Sequence, residues 1–170
     1  IGIAVALVIL GSLLSDPAYA GDVEGIVVLT STTSTFTPAL ILRDRHVCGA
    51  TERVNQGWLE LAGNKLDGAM VYLEAKPAPK QLQSKRVEID QKNCTYLPRM
   101  IPVAVRSSVR FKNSDPVLHN VHLYDPDGGT VANWPMPTKA QTTDWIPLKR
   151  PGRYRAGCDA GHSWMNVHIF

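Results

Sequence analysis

RYRAGCDAGHSWMNVHIF, residues 153–170, consists of two short alternating segments joined by a loop that carries Cys158, His162 and Met165. Along the first segment Tyr154, Ala156 and Cys158 share one face while Arg153 and Arg155 take the other. That is the period-two pattern of a strand with one side in water. Beyond the loop Met165, Val167 and Ile169 fall in one phase, with Asn166 and His168 in the other. Residues 153–158 and 165–170 are therefore expected as strands, with the thiol and the thioether both facing inward.

Upstream, Val105, Ser107, Val109 and Phe111 alternate with Arg106, Ser108, Arg110 and Lys112, which predicts another half-buried strand. NSDP (113–116) turns the chain, and LHNVHLY (118–124) reads as the next strand. On it His119 is in phase with Val121 and Leu123, whereas His122 goes with Asn120 and Tyr124, so His119 is the inward histidine. DPDGG (125–129) ends that strand, a Pro-rich loop through Trp134, Pro135, Met136 and Pro137 is expected to follow, and residues 142–148 read as a strand before the Pro151–Gly152 turn. Nearer the start, residues 24–29 and 69–74 read as strands and KPAPK (76–80) as a loop. Residues 30–68 form an elaborated segment with a short helix expected near Trp58 to Leu61. Many short strands, frequent turn signals and no long helical periodicity imply an all-β, antiparallel sandwich of two sheets around one core.

The 170 residues suffice for one such domain, residues 21–170, after an apolar start. Ile1 to Leu14 is a nearly unbroken apolar run, and Ala18-Tyr19-Ala20 has the small-x-small form of a signal-peptidase site. Residues 1–20 are thus expected to be a secretory signal, or a retained membrane anchor, and the domain to lie in the periplasm or outside the cell. The net charge of +3 becomes +4 without residues 1–20, whose one charged residue is Asp16. Lys and Arg are scattered singly, which argues against a nucleic-acid partner.

A thiolate, an imidazole and a thioether on one loop, with a second imidazole from the strand before it, form the donor set of a copper centre: Cys and two His in a plane, with a weak axial Met. His119, Cys158, His162 and Met165 are therefore the candidate ligands of one mononuclear copper ion. Three cysteines in an exported chain cannot all pair. Cys48 and Cys94 have no histidine at convincing metal-ligand spacing and are expected to form a disulfide that ties segment 30–68 to the sandwich. His46, His122 and His168 are expected to be exposed. Trp164, between His162 and Met165, is expected at the loop surface, where it forms part of a docking patch for a redox partner, or packed over the ligands. No Ser-His-Asp arrangement is evident, and Ser163 beside His162 is not evidence of one, because a nucleophile and its base must meet in space with a third, orienting group.

Over roughly residues 68–170 the chain resembles the cupredoxin superfamily of plastocyanin, amicyanin and azurin. LHNV (118–121) resembles the strand that supplies the first histidine ligand, CDAGHSWM (158–165) resembles the ligand loop, and NSDPVLHNVH (113–122) resembles a segment of exported bacterial plastocyanin-like proteins. The resemblance implies a Greek-key sandwich and a type 1 (blue) copper ion that cycles between two oxidation states. It also implies electron exchange through an exposed edge of His162, and an Asn120 side chain that helps lock the ligand segments together. Three residues separate Cys158 from His162 where amicyanin-like loops have two and azurin-like loops four, and Ser163 stands where Pro is usual. Gly161 is suited to absorb the extra residue. The function expected is outer-sphere electron transfer to a cytochrome or oxidoreductase docking near His162, not enzymatic turnover. The alternatives are a copper-delivery module, a copper-containing subunit of a redox enzyme, and a metal-free adhesive sandwich.

Overall fold

The computed structural model describes residues 24–28, 39–50, 52–53, 59–61, 65–67, 69–72 and 83–170. The strands are β1 (Ala39–Leu40), β2 (Glu52–Arg53), β3 (Leu59–Leu61), β4 (Lys65–Asp67), β5 (Arg86–Gln91), β6 (Tyr96–Leu97), β7 (Met100–Ile101), β8 (Ser108–Asn113), β9 (His119–Tyr124), β10 (Thr130–Met136), β11 (Ile146–Pro147), β12 (Tyr154–Gly157) and β13 (Asn166–Ile169). A four-residue helix, α1 (Arg45–Cys48), precedes β2.

Two sheets build the sandwich. One has the order β10-β9-β12-β13-β7 and the other β11-β8-β5-β6. After β10 the chain crosses to the other sheet as β11 and returns as β12 on the far side of β9, a Greek-key type of connection. The interior is filled by alternate residues of facing strands: Ile89, Val109 and Phe111 from one sheet, and Val121, Leu123, Ala156, Val167 and Ile169 from the other. The strand phases read from sequence are those observed, with inward Val109, Phe111 and Asn113 alternating against Ser108, Arg110 and Lys112. Buried polar groups pin the layers together. The Tyr96 hydroxyl donates to the carbonyls of Asn120 and Gly157, and Asn113 Nδ2 donates to the carbonyls of Val117 and Met136.

Several details differ from the sequence reading. Both sheets are mixed, because β5 runs parallel to β8 and β7 parallel to β13. Side-chain alternation reports which face a residue takes but not the direction of its neighbour. The strand expected from Val105 begins at Ser108, since Arg106 adopts a positive φ of 72° and Ser107 N–H closes a turn on the Ala104 carbonyl. The expected Pro-rich loop is largely strand β10. It lies at a sheet edge, where Pro135 forgoes no ladder bond that a central strand would need.

Residues 69–72 lie outside any strand, with Val71 and Tyr72 exposed, and 73–74 fall outside the described residues. Residues 24–28 hold a single bridge position, at Val28. Leu59–Leu61, within the stretch expected as a short helix, is instead a strand, pairing as β3 with β4. Residues 1–20 and the loop 76–80 also lie outside the described residues. Among those described, no helix is long and apolar enough to cross a membrane.

Candidate metal centre

The end of the sandwich nearest the β12–β13 loop gathers the donor atoms. His119 opens β9 with its ring turned into the core, the loop after β12 brings Cys158 and His162 to it, and Met165 is buried at the end of the same loop. The loop is folded on itself by a hydrogen bond from Met165 N–H to the His162 carbonyl, and Gly161 supplies a φ of +94° that side-chain-bearing residues rarely adopt. All four side chains are buried. His119 Nδ1 and His162 Nδ1 lie 3.1 Å apart, and Cys158 Sγ lies 3.9 Å from the first and 3.6 Å from the second.

NSDP, read from sequence as a turn, has a larger part. Asn113 Oδ1 accepts from Asp115 N–H, and Ser114 Oγ donates to Asp90. Asp115 is thereby aimed inward, where it accepts the N–H groups of Asn93 and Cys94 and, at 2.8 Å, the Nε2–H of His119. A carboxylate only accepts, so this contact places the proton on Nε2 and leaves Nδ1 to face Cys158. His162 is arranged in the same way by Asp44, whose Oδ2 is 3.1 Å from Nε2. Neither carboxylate was singled out from sequence. The spacing of Asp115 four residues before His119 was a faint signal, whereas Asp44 offered none, being 118 residues from its partner.

Charge is balanced around the thiol. Burial works against an ionised Cys158, but hydrogen bonds from His119, His162 and the N–H groups of Asn120 and Ala160 outweigh it and bring the thiol down to about 6. Burial likewise opposes a charged His119, yet Asp115 and then Cys158 outweigh it and push the imidazole up to about 9. Asp115, although burial pushes the other way, is held below the usual carboxylate range by His119 and the N–H groups of Cys94 and Asn93. Without metal the site is a buried thiolate–imidazolium–carboxylate chain.

Asn120 lies across the two ligand segments. Its side-chain oxygen accepts from Asp159 N–H and its amide donates to Asn133, while its backbone N–H points at Cys158 Sγ from 3.4 Å. Cys48 and Cys94 are joined in a disulfide.

Four surface assignments need correction. Trp164 is fully buried, with its indole N–H on the Cys94 carbonyl, so it packs beside His162 and offers no docking surface. His162 has no exposed edge, because Asp44 covers Nε2 and its relative exposure is 0%. His122 is half-buried rather than exposed, stacked on Tyr124 and bonded to Asp159 and Thr130. His168 is also half-buried, and its pKa is lowered by burial and then by Arg153 and Arg155; His46 is exposed.

These residues fit a soft metal ion. A Cys thiolate and two His nitrogens bound to one ion at about 2.0–2.3 Å must themselves stand some 3–4 Å apart, as the three atoms here do. Each imidazole carries the outer carboxylate that orients metal-binding histidines. Cys48 and Cys94 also come within 4.8 Å of a His162 nitrogen, but as a disulfide they offer no thiolate.

No family model and no curated protein matches the sequence. Among solved structures the chain is similar to amicyanin from Paracoccus versutus (Thiobacillus versutus), at 20% identity over 55% of this chain and 84% of that one, with a TM-score of 0.43. It is similar to a purple cupredoxin from Nitrosopumilus maritimus at 19% identity, over 49% and 96% of the two chains, with a TM-score of 0.39. A copper-containing nitrite reductase from Thermus scotoductus is 21% identical over 58% of this chain and 24% of its own, with a TM-score of 0.39.

Proposed function

We propose that this chain is a cupredoxin-type, type 1 copper protein that carries electrons by outer-sphere transfer. The observation that carries the reading is the convergence of one thiolate and two Nδ1 atoms, from β9 and the β12–β13 loop, at 3.1–3.9 Å inside a buried end of the sandwich. Sulfur and two imidazoles with a thioether in the same loop select copper over the harder ions, which prefer oxygen.

A bound copper ion supplies one-electron chemistry between two oxidation states. The chain's own residues set its surroundings. Cys158, His119 and His162 would hold the ion, the thiolate most strongly, with the Met165 thioether as a weaker donor. Asn120 ties β9 to the loop, and the packed sandwich keeps the donors in one arrangement for both oxidation states. The partner is a redox protein. With His162 covered, the docking surface we assign is the group of Asp159, exposed and next to Cys158 in the chain, with His122 and Tyr124 bonded beside it where β12 pairs with β9. The apolar run at residues 1–14 and the disulfide favour an exported protein, attached to a membrane if residues 1–20 are retained.

Loading with Cu(II) is expected to give an intense visible thiolate-to-copper absorption that Cys158→Ser abolishes, with one copper per chain by metal analysis. A fully loaded protein without that band would overturn the reading. The covered edge of His162 favours one alternative, a copper-holding module that exchanges electrons slowly. Electron self-exchange and copper transfer to an acceptor protein separate the two.

A further inference from the structure

Residues Ile41–Cys48 lie against the metal centre. Ile41 is buried, and its carbonyl accepts from Arg45 Nε. Asp44 adopts a left-handed conformation, φ 51° and ψ 36°, and its carbonyl accepts the N–H groups of Val47 and Cys48 at 2.9 and 2.8 Å. The turn ends at Cys48, which the disulfide fastens to Cys94. A side chain on Gly161 would stand 2.9 Å from Arg43 Cδ, so the segment touches the ligand loop as well.

The disulfide joins two arms with one purpose. Cys94 N–H holds the carboxylate that orients His119, and Cys48 closes the turn that presents the carboxylate that orients His162. We infer that Asp44 is a positioning residue for His162, and that the disulfide-tethered segment 41–48 is a built-in cap that fixes the second histidine ring and closes its edge to solvent. This rests on the copper reading above.

Two physical consequences follow. A ring held at Nε2 presents its Nδ1 lone pair without searching other orientations, which strengthens metal binding in either oxidation state. A carboxylate on each imidazole also adds negative charge beyond the ligands, which favours the more highly charged ion. The cap therefore strengthens Cu(II) binding more than Cu(I) binding.

The test compares the full chain with Asp44→Gly, Asp44→Asn and Cys48→Ser/Cys94→Ser, using Cu(II) and Cu(I) as separate probes in chelator competition, together with the midpoint potential. Gly and Asn both tolerate the backbone at Asp44. Gly removes the contact, and Asn keeps an acceptor without the charge. Asp44→Gly is expected to keep the visible band, to lose Cu(II) affinity about tenfold, to lose less Cu(I) affinity, and so to raise the potential. Asp44→Asn falls between Asp44→Gly and the wild type, and the disulfide variant shifts in the same direction as Asp44→Gly. Coloured Asp44→Gly with unchanged Cu(II) and Cu(I) affinities and potential overturns the cap while the copper reading stands. A wild-type protein that binds copper without the band overturns both.

Discussion

In the metal-free protein His119 keeps its proton up to about 9, against 6.5 for the free side chain. The raised value means that the folded state binds a proton the unfolded chain sheds. This contribution to stability is therefore complete below about 6.5 and fades as the pH rises through about 9. Cys158, brought down to about 6 from 9.0, contributes with the opposite sign over the same range, so the fade is read as a difference. The stability gap between wild type and Asp115→Asn, which removes the charged partner, is expected to narrow as the pH rises from about 6.5 to about 9. Copper must displace the same proton, so copper affinity is expected to climb with pH until about 9. Asp115→Ala removes one side of a buried pair and is expected to cost about 3–5 kcal/mol, measured by urea denaturation of the metal-free protein. That His119, Cys158 and His162 are buried side by side was readable from sequence, because the strand phase of His119 and Cys158 is local and His162 shares the loop of Cys158. Asp115 and Asp44 were not, because a carboxylate acquires its role only when the fold brings an imidazole to it.

Strand β8 shows how far alternation carries at the scale of one element. It lies between β11 and β5, so its inward side chains pack against the opposite sheet while Arg110 reaches out to Glu88 and over the Trp145 ring. Phe111→Ala is expected to cost about 3–5 kcal/mol by leaving a cavity, whereas Lys112→Ala should stay within about 0.5 kcal/mol. Equal losses at the two positions in denaturant titrations would refute the assignment of faces. The turn before β12 has a different constraint. Gly152 has φ +121°, and a Cβ there would sit 2.8 Å from Pro126 Cβ. Gly152→Ala is expected to cost more than about 1 kcal/mol, read as a lowered thermal midpoint; an unchanged midpoint would mean that the turn yields. β10 was misread because Pro135 breaks a central strand but not an edge strand, and edge position is a property of the sheet rather than of the segment.

For the molecule as a whole, the sandwich and its inward faces were readable, but the parallel pairings β5–β8 and β7–β13 and the lie of segment 41–48 were not. These depend on which distant segments meet, and period-two patterns contain no such information. The disulfide is the covalent record of one meeting, closing a span of 46 residues between Cys48 and Cys94. Restricting a loop of that length in the unfolded chain stabilises the fold by about 4 kcal/mol. Cys48→Ser/Cys94→Ser is expected to lose most of that in reversible denaturation of the metal-free protein. Reduction of the wild type should give a similar loss, because both routes free the same span. The two sulfurs sit behind His162, so the loss should be accompanied by faster hydrogen exchange at the amides of Val47 and Cys48, while the amides of Phe111 and Leu123 stay among the last to exchange. A variant that loses less than about 1 kcal/mol and keeps those two amides protected would show that Ile41 and Asp44 hold the segment without the bridge. An equal rise in exchange at Phe111 and Leu123 would show instead that the bridge stabilises the whole sandwich rather than fastening a cap to one end of it.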